Sequence, residues 1–216
     1  MFEPSLKLRA ALPRRRTVVA TFAFNNRDNG SQCPLDTRLC AGRRKDRMQL
    51  GMIGLGRMGA NMAMRLLKAG HDIHAYAQNS DSTKSLEEAG AKVLHDVEAF
   101  VSGLARPRAV WLMVPAAAVD SVLETITPAL QPGDIVIDGG NSYFHDDLRR
   151  ARSLRRKELK YVDVGVSGGV WGRERGYCLM IGGEKDAVDL LDSVFRALAP
   201  GVNAASRTAG AIGEPA

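Results

Sequence analysis

Cysteine is scarce: Cys33, Cys40 and Cys178 are the three in 216 residues, and no two form a C-x-x-C pair. That excludes a disulfide framework and a thiolate zinc site, and makes a reducing compartment, the cytoplasm, the expected location. Long apolar runs are missing too. The best stretch, around Val110-Trp111-Leu112-Met113-Val114, is strand-sized and far short of the ~18 residues a membrane-spanning helix needs, so no membrane partner is expected. The histidines His71, His74, His95 and His145 are scattered without ligand spacing. They read as ordinary surface or strand-edge residues, and no metal is expected. What remains, 45% apolar and 25% charged residues, fits one globular domain, or one domain with an appendage.

The formal charge of +6 is unevenly distributed, because residues 1–47 hold 11 Lys and Arg against 4 Asp and Glu. The body that follows is nearly neutral, so the high isoelectric point says little about its ligands, and no nucleic-acid partner is expected for it. Residues 1–47 carry Arg14-Arg15-Arg16, an apolar run from Val18 to Phe24 and the cluster Arg43-Arg44-Lys45. They show no sustained period. The order of basic and apolar parts does not suit a secretory signal, and the serine content is low for a transit peptide. The expectation is a disordered basic extension ahead of a working start at Met48. A nucleic-acid-binding arm is the alternative, and its affinity would fall steeply with salt.

From Gln49 the pattern changes to strands alternating with helices. Strands are expected at 49–55, 71–77, 91–94, 109–114, 134–138 and 161–164, and helices at 57–69, 81–89, 96–104, 117–127 and 145–157. Gly70 and Gly90 stand where helix C-terminal caps belong, and Pro128 stops a helix. Such alternation demands right-handed crossovers and a mostly parallel, doubly wound α/β sheet of the Rossmann type. The domain is expected over residues 48–200, with 201–216 a truncated linker. The arginines of 149–156 read as a solvated helical face, and Cys178 as an inert residue of an apolar strand.

Gly54-Leu55-Gly56-Arg57-Met58-Gly59 follows the first of these strands and opens the first helix, the context that gives a G-x-G-x-x-G pattern its meaning. Gly54 permits a tight turn, Gly56 allows the backbone to approach a pyrophosphate, and Gly59 allows helix and strand to pack closely. Amides at the helix start then face the anion. An NAD site ordinarily places a carboxylate at the end of the next strand. Here that segment is Tyr76-Ala77-Gln78-Asn79-Ser80, with no acid before Asp81. Gln78, Asn79 and Ser80 can donate to a 2′-phosphate, which favours NADP over NAD, although the arginine usual for that role is missing.

Four ordered blocks carry a more specific likeness: Gly54 to Gly59, Trp111-Leu112-Met113-Val114-Pro115, Ile137-Asp138-Gly139-Gly140-Asn141-Ser142-Tyr143, and Val166-Ser167-Gly168-Gly169-Val170-Trp171-Gly172. With Gly176 to Gly183 they resemble the cofactor domain of the decarboxylating 6-phosphogluconate dehydrogenases, over about residues 48–200. The 3-hydroxyisobutyrate dehydrogenases share the glycine turn and a Ser-Gly-Gly element, but the block from Asp138 to Ser142 points to the phosphogluconate branch.

The resemblance implies that Val114, Pro115 and Ala116 border the cofactor, that Asn141 lies between nicotinamide and sugar acid, and that Ser167, Gly168 and Gly169 contact the substrate. It implies hydride transfer from the C3 hydroxyl of 6-phosphogluconate, then loss of carbon dioxide to give ribulose 5-phosphate, in the pentose phosphate pathway. The lysine and glutamate that serve as base and acid lie, in that family, beyond the cofactor domain, as does the helical lobe through which it dimerises. The family's Gly-x-x-x-Lys-Met-x-His-Asn segment does not occur in these 216 residues. No catalytic residue is therefore assigned, and negligible turnover is expected of the chain alone, or even a purely nucleotide-binding role.

Overall fold

In this computed structural model, the described residues are 47–78 and 83–200, together with the backbone of strand β1, Val18–Thr21. The expected linker 201–216, most of the basic extension, and Asn79 and Ser80 lie outside them. Six parallel strands form the centre: β2 (Gln49–Ile53), β3 (Asp72–Tyr76), β4 (Lys92–Leu94), β5 (Ala109–Leu112), β6 (Ile135–Asp138) and β7 (Lys160–Ser167). Strand β8 (Cys178–Gly183) runs antiparallel to β7, and β1 antiparallel to β8, giving the order β1-β8-β7-β6-β5-β2-β3-β4. The chain leaves β2 towards β3 and β4, then returns to the other side of β2 with β5, β6 and β7. That reversal opens a crevice at the C-terminal ends of β2 and β5, where doubly wound sheets bind ligands.

Both faces of the sheet are covered, so the central strands are apolar without alternation. Trp111, Ile135 and Ile137 pack with Met62, Leu66, Tyr177 and Phe195 on one side, while Val110, Leu112 and Val136 pack with Phe100, Leu123 and Leu154 on the other. Helix α1 (Arg57–Lys68) buries Met62, Ala63 and Leu66 on one stripe. It ends in a Schellman motif: Gly70 has φ +92°, its amide donates to Leu67 O, and the His71 amide donates to Leu66 O. Helix α2 (Lys84–Glu88) ends on Gly90 in the same way.

Several elements differ from the sequence expectation. The 117–127 helix is a 3₁₀ turn, Ala116–Ala118, then α4 (Val119–Ile126), then a second 3₁₀ turn containing Pro128. Helix α3 (Val97–Ser102) starts one residue later because the Asp96 carboxylate caps it by accepting from the Ala99 amide at 2.7 Å. Strand β7 is eight residues rather than four, because β8 pairs with it along its whole second half. Helix α5 is Phe144–Arg155, followed after β7 by α6 (Gly172–Arg175) and, after β8, by α7 (Lys185–Leu190) and α8 (Asp192–Leu198). The basic extension is not wholly outside the fold, since Val18–Thr21 lies on the β8 edge.

Candidate functional site

The three glycines of the first turn have three different reasons to be glycine. Gly54 has φ +93°, and a Cβ there would strike the Met113 carbonyl and stand 2.8 Å from Val114 Cγ1. A Cβ on Gly59 would run into the Gly54 carbonyl oxygen, so the first turn of α1 sits directly on the end of β2. Gly56 is different: its φ of −64° and ψ of −177° are open to any residue, and a Cβ there would meet nothing within 4 Å. Packing among the described residues gives no reason for glycine at 56.

The first bond within α1 runs from the Ala60 amide to Gly56 O at 2.9 Å, so the amides of Arg57, Met58 and Gly59 precede the helical ladder. No side chain caps this end and no acid lies in its first turn. The positive end of the helix dipole is therefore left for an external anion. Leu55 and Met58 are half-buried against the core, and Arg57 is exposed beside the turn. A dinucleotide pyrophosphate fits this cradle: an open approach over Gly56, main-chain donors, and no side chain in the way.

At the end of β3 the Ala77 amide donates to Leu94 O at 3.1 Å, and His95 Nδ1 donates to Ala77 O at 2.7 Å. Gln78 follows, exposed. Across the crevice, the Met113 amide donates to Ile53 O at 2.7 Å and the Gly139 amide to Leu112 O at 2.9 Å, extending the ladder past the strand ends. Val114, Pro115 and Ala116 line the step from β5 into the 3₁₀ turn. A Cβ on Gly140 would lie 2.5 Å from Val114 O, so the loop after β6 lies against the loop after β5. Asn141 stands exposed beyond it with φ +58°.

Ser167 is the last residue of β7, and Gly168 and Gly169 follow with φ +147° and +55°. Like Gly56, Gly169 would carry a Cβ into open space. Helix α1 is fastened to the segment that follows: Asn61 Nδ2 donates to Val170 O at 3.3 Å. The Arg65 guanidinium donates to the carbonyls of Arg173, Glu174, Ala197 and Ala199 at 3.2, 3.3, 2.8 and 2.8 Å. Gly54 to Gly59, Val114 to Ala116, Asn141 and Ser167 to Gly169 thus follow the ends of β2, β5, β6 and β7, which are neighbours.

A buried ionic network behind Asn141 had no sequence signal. Arg150, read from sequence as part of a solvated face, is 4% exposed because α5 turns it inward, where its Nε donates to Asp120 Oδ1 at 2.8 Å. Its Nη1 reaches both Asp138 and Asp147 at 3.4 Å. The Tyr161 hydroxyl lies 2.7 Å from Asp138 Oδ2 and 2.9 Å from Asp147 Oδ1. One hydroxyl proton serves one carboxylate, so the second contact needs a proton on the carboxyl side. Burial, reinforced by Asp138, raises the Asp147 pKa accordingly. Burial, with Asp147 and Asp138 nearby, likewise pushes Asp163 up to about 6. Bonds from Arg150 and Arg149 hold Asp120 down at about 2. Its members come from α4, α5, β6 and β7, which no local pattern connects.

Two other readings need correction. His71 and His74 are buried, at 5% and 4%, rather than at the surface. The His71 ring accepts from the Met48 amide at 3.2 Å and so ties the start of β2 to β3. Cys178 does lie in a strand, but on its exposed side. A cavity of about 700 Å³, walled in part by Phe144, Asp147, Tyr161, Asp163 and Gly183, lies between α5 and β8 rather than at the glycine turn. Among the described residues no three His, Cys, Asp or Glu side chains are grouped to hold a metal, and no helix is long and apolar enough to cross a membrane.

Comparison with known proteins agrees with this geometry. Residues 49–208 match the family described as the NAD binding domain of 6-phosphogluconate dehydrogenase. The NAD(+)-dependent decarboxylating 6-phosphogluconate dehydrogenase of Haloferax volcanii is 43% identical over 155 residues, which is 71% of this chain and 51% of that protein. The solved structure of Plasmodium falciparum 6-phosphogluconate dehydrogenase, described with its cofactor NADP+ and with its substrate, superposes with a TM-score of 0.67 at 31% identity. It is matched over 72% of this chain and 35% of its own. A 3-hydroxyisobutyrate dehydrogenase from Salmonella typhimurium gives 0.65 at 26% identity, covering 71% of this chain and 54% of that one. The chain thus spans between a third and about half the length of these relatives. It belongs to the family of the NAD-binding domain of 6-phosphogluconate dehydrogenase.

Proposed function

We propose that this chain is the nucleotide-binding part of an NADP-dependent 6-phosphogluconate dehydrogenase of the decarboxylating, pentose phosphate type, acting in the cytoplasm. The observation that carries the reading is Gly56, a glycine that packing among the described residues leaves unexplained and that a pyrophosphate explains. Amides of Arg57, Met58 and Gly59 hold the pyrophosphate. The run Gln78-Asn79-Ser80, with no carboxylate in the sequence before Asp81, supplies hydrogen-bond donors suited to a 2′-phosphate. Val114, Pro115 and Ala116 flank the nicotinamide half, which supplies a hydride acceptor when bound. Asn141 stands where it can donate to one oxygen and accept from a hydroxyl, between that ring and the sugar acid. Ser167 supplies a hydroxyl, and Gly168 and Gly169 supply unobstructed amides, to the substrate carboxylate.

A 3-hydroxyacid substrate of the hydroxyisobutyrate type would use the same cradle, but the run Asp138-Gly139-Gly140-Asn141-Ser142 favours 6-phosphogluconate. The lysine segment of that family is absent from the 216 residues, so the polypeptide by itself binds nucleotide without sustained turnover. Dimerisation, in this reading, belongs to the helical lobe of the family. Titration of NADP and NAD against the 216-residue protein tests the cofactor choice: NADP binds more tightly, and equal or tighter NAD binding overturns it. With NADP and 6-phosphogluconate together, absorbance at the reduced-nicotinamide band stays flat. A steady rise contradicts the expected lack of turnover.

A further inference from the structure

We propose that Asp138 is a positioning residue for Asn141, gripping the chain on both sides of it so that a non-glycine residue is held in the left-handed region. One carboxylate does both. Its Oδ1 accepts from the Gly140 amide at 2.9 Å, and its Oδ2 accepts from the Ser142 hydroxyl at 2.9 Å. Asn141, between them, has φ +58° and an exposed side chain. Asparagine enters that region more readily than most other residues with a Cβ, and the carboxylate holds the loop in this one conformer. Behind the carboxylate stands Arg150, which Asp120 holds in turn, while the Tyr161 hydroxyl is divided between Asp138 at 2.7 Å and Asp147 at 2.9 Å, so the grip does not depend on it. Asp138 is 1% exposed, so its two oxygens have no bulk water to exchange these partners for. The grip thus passes from α4 and α5 through β6 to a residue at the crevice.

A rival view makes Asp138 merely the centre of a structural knot. The two views differ in which partner matters, because Ser142 lies on the loop side of Oδ2 and Tyr161 on the core side. Replacing Asp138 itself would strand the Arg150 charge and test folding first. The loop-side partner is therefore the informative one. The inference rests on the proposed placement of Asn141 in the nucleotide site for its functional meaning, but its structural half can be read without any ligand.

The test uses the ¹⁵N-labelled 216-residue protein and its Ser142→Ala, Ser142→Thr and Tyr161→Phe variants. Backbone relaxation at Asn141 is expected to show order falling from about 0.85 to below about 0.6 in Ser142→Ala. Ser142→Thr, which keeps the hydroxyl, retains the order of the parent. Tyr161→Phe lowers the melting temperature but leaves Asn141 ordered. NADP binding then weakens about three- to tenfold in Ser142→Ala, the fold-change of one hydrogen bond. If Ser142→Ala leaves Asn141 as ordered as in the parent, or Tyr161→Phe loosens it equally, the positioning role is overturned. If the parent binds no pyridine nucleotide, the proposed function fails while the relaxation result still decides the role of Asp138.

Discussion

Gly54 and Gly59 are glycines because protein atoms occupy the space of a Cβ, and the consequence is measurable. Gly59→Ala forces a methyl into the Gly54 carbonyl at a junction of two backbones that have little room to move. Denaturant unfolding is expected to show a loss of about 1–3 kcal/mol, the usual cost of overpacking, and an unchanged midpoint would contradict the close packing. The spacing of the three glycines and the strand before them were readable from sequence, because each role is local. The burial of Arg150 was not. An arginine in Arg149-Arg150-Ala151-Arg152 looks like its neighbours until Asp120 from α4 and Asp138 from β6 join Asp147, one turn back on its own helix, to satisfy it. Arg149, one residue earlier, does stay exposed and pairs with Asp120 and Asp146 at the surface.

Strand β7 and helix α5 form the unit where burial works against charge. Asp163 carries a carboxyl whose pKa rises from 3.8 to about 6, first through burial and then through Asp147 and Asp138. A raised carboxyl keeps its proton in the folded state at pH values where the unfolded chain has lost it. Its ionisation therefore weakens the fold as pH rises from about 4 to about 6, and Asp147 acts in the same direction. Asp120, lowered to about 2, has the opposite sign, and its contribution disappears only below pH 4. Asp163→Asn removes the charged form. Thermal unfolding is expected to show the variant more stable than the parent at pH 7, with the difference vanishing near pH 4; an equal difference at both would refute the assignment. The periodicity of the sequence marked most of these elements, and it misplaced their ends where tertiary partners extend them. Strand β7 runs on to Ser167 because antiparallel β8 supplies hydrogen bonds there, a pairing that no alternation within 161–164 reveals.

Across the whole molecule, alternating strands and helices with right-handed crossovers call for a doubly wound parallel sheet, while its strand order is seen only in the fold. The sequence pattern therefore sufficed for the doubly wound core. It did not suffice for the far edge, where β8 turns antiparallel and Val18–Thr21 joins from a segment separated from β2 by 27 residues of turn-rich, basic sequence. The crevice at the sheet reversal is where chemistry, packing and family likeness meet. Its central feature is a helix start whose main-chain amides no side chain caps, over a glycine that packing among the described residues does not require. Isothermal titration of NADP into the 216-residue protein and its Gly56→Ala variant tests this most directly. The parent should bind saturably, and the variant should lose at least about tenfold in affinity, while its stability stays within about 1 kcal/mol of the parent. No heat from the parent with NADP or NAD, or a variant that titrates like the parent, would contradict it.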